Sequence, residues 1–122
     1  MRQTTRYWNL GGLQRTVHDH TLALNCSHFL PVTPTQIPTG EVRSVEGTDF
    51  DFKSSASRKL AVLDGVDGAG QPGFDHCLVI DRDGADAGAL VHCAEASCDG
   101  VVMRVATTKP GVQLYTVRAR CR

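Results

Sequence analysis

The sequence contains no long hydrophobic run and little helical periodicity. No stretch approaches the ~20 apolar residues that a membrane-spanning helix requires, and residues 1–8 lack the apolar segment of a secretory signal. Apolar residues at the 3.6-residue spacing of an amphipathic helix are not sustained along the chain. These absences argue against a membrane protein and a helical bundle, and we expect a cytoplasmic protein.

Net charge is also missing. Thirteen Lys and Arg residues balance thirteen Asp and Glu residues, so no overall field attracts nucleic acid or an anionic membrane. A neutral substrate suits this balance at least as well as a charged one. We expect neither nucleic acid nor a membrane as a partner.

The cysteines do not follow a disulfide or zinc-binding pattern. They are odd in number, and no two have the C-x-x-C spacing of a zinc ribbon. Reduced thiols in a cytosol are the simpler interpretation. The five cysteines are Cys26, Cys77, Cys93, Cys98 and Cys121.

The sequence does contain period-2 alternation of apolar residues, which predicts an all-β fold. The 41% hydrophobic content is ordinary for a globular protein, and 122 residues allow at most one domain. Gly and Pro clusters separate the candidate strands at a spacing typical of a β-sandwich, and Asp99-Gly100 predicts a tight hairpin turn. Residues 54–73 predict a surface loop. The predicted strands cover residues 21–26, 77–81, 90–96, 101–107 and 112–117.

Five short blocks along the chain form a series. They are Tyr7-Trp8-Asn9-Leu10-Gly11-Gly12 with Asp19-His20; Leu30-Pro31-Val32 followed by Ile37-Pro38-Thr39-Gly40-Glu41; Gly47-Thr48 with Phe50-Asp51-Phe52; Gly73-Phe74-Asp75-His76; and residues 107–116. In this order and spacing they resemble the aldose 1-epimerase (mutarotase) family. The resemblance spans about residues 7–116, and the arginine-rich residues 117–122 depart from it.

Members of this family are large β-sandwich (supersandwich) domains, more than twice as long as this chain, that interconvert the α and β anomers of free hexoses such as glucose and galactose. The resemblance therefore implies that residues 1–122 are one partial mutarotase-like domain with antiparallel strands. It implies a hexose ligand, no cofactor and no metal. Opening the sugar ring needs an acid and a base at opposite edges of the sugar, and the family uses a His and a Glu.

The resemblance puts the acid position at Thr5, whose hydroxyl does not titrate near neutral pH as an imidazole does. The family's base lies beyond the last block and has no counterpart in the sequence, so we predict no catalytic residue. Sugar contacts carry over to Asp75 and Gln113, because a carboxylate accepts bonds from hydroxyls and an amide both donates and accepts. Tyr7 is expected to line the same pocket.

Plainer interpretations stay open. Asp75 could cap a turn after Gly73, Gln113 could be a solvated residue on a strand, and Trp8 is expected to pack rather than to bind sugar. His18 and His20 would share one face of a strand and could hold a metal. However, the family uses none, and nothing predicts a thiolate-activating environment for a Cys-His nucleophile.

The sequence thus predicts an aldose 1-epimerase family protein of hexose metabolism that is inactive in this form. The alternative is a non-catalytic carbohydrate-binding or assembly-dependent β-sandwich fragment. Free galactose or glucose is the expected ligand. Exposed strand edges of a partial sandwich favour self-association or a complementing chain.

Overall fold

The computed structural model describes residues 7–53, 58–59 and 74–116. Within these ranges the regular structure is antiparallel β-sheet with two short 3-10 helices, Gly12–Gln14 and Val17–Asp19, which confirms the predicted all-β class. The strands are β1 (Thr21–Leu24), β2 (Cys26–Phe29), β3 (Arg43–Ser44), β4 (Arg58–Lys59), β5 (Asp75–Ile80), β6 (Val91–Cys98), β7 (Val101–Thr107) and β8 (Gly111–Tyr115).

The described strands form two four-stranded sheets. The first sheet has the order β4-β1-β6-β7, and the second has the order β3-β2-β5-β8. Every described pair is antiparallel, and the longest ladders join β6 to β7 and β5 to β8. Strands β7 and β8 each stand at the end of their sheet as described.

The predicted strands agree with the structure in position but not always in extent. Strand β7 has the predicted bounds. Strand β5 covers Asp75–Ile80, whereas 77–81 was predicted, and β6 covers Val91–Cys98, whereas 90–96 was predicted. The predicted strand 112–117 begins at Gly111 and ends at Tyr115, and residue 117 lies outside the described residues. Strand β4 lies inside the predicted loop 54–73, most of which is also outside them.

Asn25 explains why the predicted strand 21–26 is two strands. At this residue the chain leaves the first sheet and enters the second. The Asn25 N–H donates to the carbonyl of Cys93 at 2.8 Å, and its own carbonyl accepts from the N–H of Asp81 at 2.9 Å. Its side-chain amide donates to the carbonyls of Asp81 and His92, both at 3.3 Å. One residue therefore ties the two sheets together where they meet.

All four phenylalanines of the chain lie in one buried cluster. The rings of Phe29 and Phe50 stack with centroids 3.9 Å apart, and Phe74 meets both Phe50 and Phe52 edge to face at about 5.5 Å. Burying one such side chain stabilises the fold by about 1.5–3 kcal/mol. The phenylalanines are thus concentrated in the core, together with Leu22, Leu24, Leu78 and Ile80.

The predicted hairpin turn is present between β6 and β7. Cys98 pairs with Val101, and the two residues between them, Asp99 and Gly100, have φ angles of 48° and 81°. Two consecutive positive φ angles define the primed turn that matches the twist of paired strands. Arg15 Nε donates to Asp99 Oδ2 at 2.9 Å and holds the N-terminal segment against this turn.

No helix within the described ranges is long and apolar enough to cross a membrane.

Candidate functional site

Asp75 and Gln113, the two predicted sugar contacts, lie side by side on the second sheet. Asp75 begins β5, Gln113 is central in β8, and the ladder pairs Asp75 with Tyr115 and Cys77 with Gln113. Gln113 Nε2 donates to Asp75 Oδ1 at 2.9 Å. The structure thus brings together two residues that are 38 positions apart in the sequence.

The alternation of β5 fixes which way this pair faces. His76, Leu78 and Ile80 are buried, whereas Asp75, Cys77 and Val79 are only partly buried. Because successive strand residues point to opposite faces, Asp75 stands on the outer face of the second sheet, opposite the phenylalanine core. Gln113 is exposed on the same face.

The end of the ladder next to Asp75 is closed by a reciprocal contact. The Phe74 N–H donates to Thr116 Oγ1 at 2.8 Å, and the Thr116 N–H donates to the Phe74 carbonyl at 3.0 Å. Both residues are buried. Asp75 is therefore a strand residue, placed between this contact and its own pairing with Tyr115. Gly73, after which it could cap a turn, lies outside the described residues.

The bond between the pair also determines which atoms remain for a ligand. Since the amide nitrogen donates to Asp75, the Gln113 carbonyl oxygen is directed away from that carboxylate and can accept a hydrogen bond. The second carboxylate oxygen of Asp75 can accept from a hydroxyl in the same way. The pair therefore offers two acceptor oxygens, one from each side chain, and the second amide hydrogen of Gln113 as a donor.

Tyr7 lies at the same end of the sheet as Asp75. Its ring centroid is 5.6 Å from that of Tyr115, with the ring planes tilted by 57°. Tyr115 is the direct partner of Asp75 across the ladder, so Tyr7, Tyr115 and Asp75 form one group. Thr5, at the predicted acid position, lies outside the described residues.

Tyr115 was not among the predicted site residues, although the sequence contained a signal for it. It is two residues after Gln113, and residues two apart on a strand share a face. Trp8, which was expected to pack, is instead 60% exposed, so that expectation is wrong.

Gly111 leaves room for Cys77 beside the pair. A Cβ atom at Gly111 would lie 3.0 Å from Cys77 Sγ and 3.3 Å from the Leu78 carbonyl oxygen, so any larger residue would force the two strands or the thiol to move. Burial raises the pKa of the Cys77 thiol. The thiol therefore stays protonated near neutral pH and is a poor nucleophile.

The other described thiols are similar. Cys26, Cys93 and Cys98 are free, and burial is the main cause that raises the pKa of each. For Cys26 the pKa rises from 9.0 to about 12, with the neighbouring Asp81 carboxylate adding to the effect of burial. None of these four environments activates a thiolate.

His20 has a structural role that removes the basis of the metal hypothesis. Residues 18 and 20 do not share a strand, because Val17–Asp19 is a 3-10 helix. His20 is buried, its Nε2 accepts from the Leu10 N–H at 2.9 Å, and its Nδ1 donates to the Thr16 carbonyl at 3.1 Å. Both ring nitrogens thus anchor the N-terminal segment, and among the described residues no three His, Cys, Asp or Glu side chains gather as metal ligands.

The fold and the site together define an antiparallel β-sandwich with a carboxylate–amide pair and two tyrosines on one outer face. The chain belongs to the aldose 1-epimerase family, whose model matches residues 6–121. It is 36% identical over 113 residues to galactose mutarotase of Homo sapiens, covering 90% of this chain and 31% of that protein. It is 32% identical over 110 residues to aldose 1-epimerase of Escherichia coli (strain K12), covering 90% of this chain and 32% of that protein.

A solved structure gives the same result for the fold. The crystal structure of a GalM/aldose epimerase homologue from C. elegans superposes with a TM-score of 0.70 at 31% identity, covering 89% of this chain and 31% of that one. The chain therefore spans about a third of the length of the relatives that it matches.

The raised pKa of Cys26 predicts a pH-dependent stability. The thiol has a higher pKa in the folded than in the unfolded chain. Its contribution to the free energy of unfolding is therefore complete below about pH 9 and is lost as the pH rises towards about 12. Replacing Cys26 by Ala should remove this contribution. Urea denaturation of the parent and of Cys26→Ala at several pH values above neutrality measures the difference. Equal losses of stability with rising pH in both proteins would contradict the prediction.

Proposed function

We propose that this chain acts in hexose metabolism as the sugar-holding part of an aldose 1-epimerase domain in the cytoplasm. The β5–β8 face would bind a free hexose, galactose or glucose, through Asp75 and Gln113. The observation that carries the proposal is the 2.9 Å bond from Gln113 Nε2 to Asp75 Oδ1 on an exposed strand face. These are the two positions to which the family resemblance assigns sugar contacts.

The chemistry of the pair suits a sugar better than an anionic ligand. A hexose presents neutral hydroxyl groups that both donate and accept, and the carboxylate and amide supply the complementary atoms. The hydrogen bond between them fixes both side chains before a ligand arrives, which lowers the entropy lost on binding. The four described free thiols fit a reducing compartment such as the cytoplasm.

We infer further that the chain does not speed the interconversion of anomers on its own. Ring opening needs an acid at one edge of the sugar and a base at the other. Thr5 occupies the position of the family's acid, and its hydroxyl is effectively un-ionisable near neutral pH. His20, which is also in the N-terminal part of the chain, has both ring nitrogens engaged with backbone.

Replacing Asp75 by Ala should weaken galactose binding by about tenfold or more, because hydrogen bonds to a charged acceptor contribute about 1.5–3 kcal/mol. Titration calorimetry of the parent and of Asp75→Ala with D-galactose measures the change. Glu46→Ala, which removes an exposed carboxylate on the loop after β3, is the matched control and should bind like the parent. Equal affinity of Asp75→Ala and the parent, or no binding by the parent, would contradict the proposal.

Polarimetry tests the absence of turnover. Freshly dissolved α-D-glucose should change its optical rotation at the same rate with and without the chain, because Thr5, at the position of the family's acid, cannot protonate the ring oxygen as a histidine would. The heat-denatured chain serves as the control for adventitious catalysis. A rate that rises in proportion to the concentration of the folded chain would show that the inference is wrong.

A second candidate function, assembly with another chain, is favoured by strand β7. It stands at the end of the described first sheet, and Val101 and Val102 are about half exposed there. An end strand with apolar side chains is a template for pairing with a further strand, from a second copy or a complementing chain.

The assembly candidate predicts that the chain elutes above its monomer mass in size-exclusion chromatography. Val102→Lys should shift elution towards the monomer, because a charge on an edge strand opposes pairing. Leu13→Lys adds the same charge at a fully exposed position outside the sheets and should elute like the parent. A monomeric parent at every concentration tested would rule out this candidate.

A further inference from the structure

Tyr115 stands directly beside the carboxylate of the proposed sugar site. It is the cross-strand partner of Asp75, and partners in an antiparallel ladder lie on the same face with Cβ atoms about 4.5–5.5 Å apart. Gln113 lies two residues earlier on that face. The phenol ring therefore borders the carboxylate–amide pair, while Leu114 between them packs against the core.

The ring of Tyr115 is supported but not covered. Tyr7 contacts it at 5.6 Å between centroids with a tilt of 57°, within the range of favourable aromatic pairs. Even so, 42% of Tyr115 and 68% of Tyr7 remain exposed. We call these two residues the tyrosine pair. It presents two apolar ring surfaces to solvent at the edge of a polar pair.

This juxtaposition matches the surface of a pyranose. A sugar ring is polar around its rim, where the hydroxyls lie, and has C–H groups on its faces. In galactose the axial 4-hydroxyl leaves the hydrogens of C3, C4 and C5 together on one side of the ring. A binding site that holds such a ligand combines an apolar aromatic surface with a few convergent polar groups.

We infer that Tyr115 is a sugar-binding residue on which the C–H face of a galactose-type pyranose stacks while its hydroxyls bond to Asp75 and Gln113. The inference rests on the proposed function and adds the orientation of the sugar to it. Stacking on one face leaves only the rim free to reach the polar pair. Tyr7 braces the Tyr115 ring from the side, which reduces the rotamer freedom that ligand binding would otherwise have to remove.

The test compares the parent with two substitutions at the same position. Tyr115→Phe keeps the ring and removes the hydroxyl, whereas Tyr115→Leu keeps an apolar side chain and removes the ring. D-galactose titrated by calorimetry should bind to Tyr115→Phe like the parent. Its affinity for Tyr115→Leu should fall by about two- to tenfold, the effect of one stacked aromatic contact.

A second measurement separates stacking from a merely structural effect. Proton NMR of the parent with D-galactose should give intermolecular nuclear Overhauser effects from the Tyr115 ring protons to H3, H4 and H5 of the sugar. The Tyr115→Phe protein should retain these contacts, and thermal melting of both variants reports whether they fold. Contacts to the sugar C–H face in the parent and Tyr115→Phe support the inference even if Tyr115→Leu fails to fold.

The outcomes distinguish this inference from the proposed function. If Asp75→Ala loses galactose binding while folded Tyr115→Leu binds like the parent, the sugar site stands and the role of Tyr115 is overturned. Absence of ring-to-sugar contacts in a parent that binds galactose overturns it too. If the parent itself binds no galactose, both the proposed function and the role of Tyr115 fail together.

Discussion

The register of β5 against β8 is the constraint on which the site depends. Five pairs, from Asp75 with Tyr115 to Val79 with Gly111, define it. With this register Asp75, Gln113 and Tyr115 share the outer face, while Leu78 and Ile80 enter the core. A shift by one residue would exchange these faces, burying a carboxylate and exposing the apolar residues. The same pairing that buries the core therefore also assembles the polar pair.

The buried phenylalanine cluster, which packs on the inner face of this sheet, stabilises the register. Phe74 immediately precedes Asp75 and is buried against Phe50 and Phe52, while the backbone of Phe74 is bonded in both directions to Thr116. Moving Asp75 along the ladder would require removal of Phe74 from the core, at a cost of several kcal/mol, about 3–5 for complete loss of such a side chain. The position of a surface carboxylate is thus set by buried packing.

Much of this arrangement could be predicted from the sequence, for reasons that particular residues make clear. Strands β7 and β8 have clear alternation, and Asp99-Gly100 has the residue types of a primed turn. Asp75 and Gln113 came from the family resemblance, but their hydrogen bond depends on a register between segments 38 residues apart, which no local pattern contains. Strands β3 and β4 are two residues long each and exist because β2 and β1 offer them partners.

Two predictions from the sequence, the single strand over residues 21–26 and the shared strand face of His18 and His20, were wrong for simple physical reasons. Asn25 fits an alternating pattern as well as any polar residue, so only its hydrogen bonds to both sheets reveal that one predicted strand is two. The spacing of His18 and His20 suggested a shared strand face, but a 3-10 helix there turns His20 into the core, where it bonds to the backbone. Long-range contacts decided the first case, whereas the short helix in the second is held by local bonds between Thr16 and Asp19.

The central claim is that the outer face of β5 and β8 holds a hexose. Titration of the ¹⁵N-labelled chain with D-galactose, followed through its backbone amide resonances, tests it most directly. Saturable shifts at Asp75, Gln113 and Tyr115, with the β6–β7 hairpin unchanged, are the predicted result. Shifts confined to that hairpin, or no shift at any sugar concentration, would contradict the account.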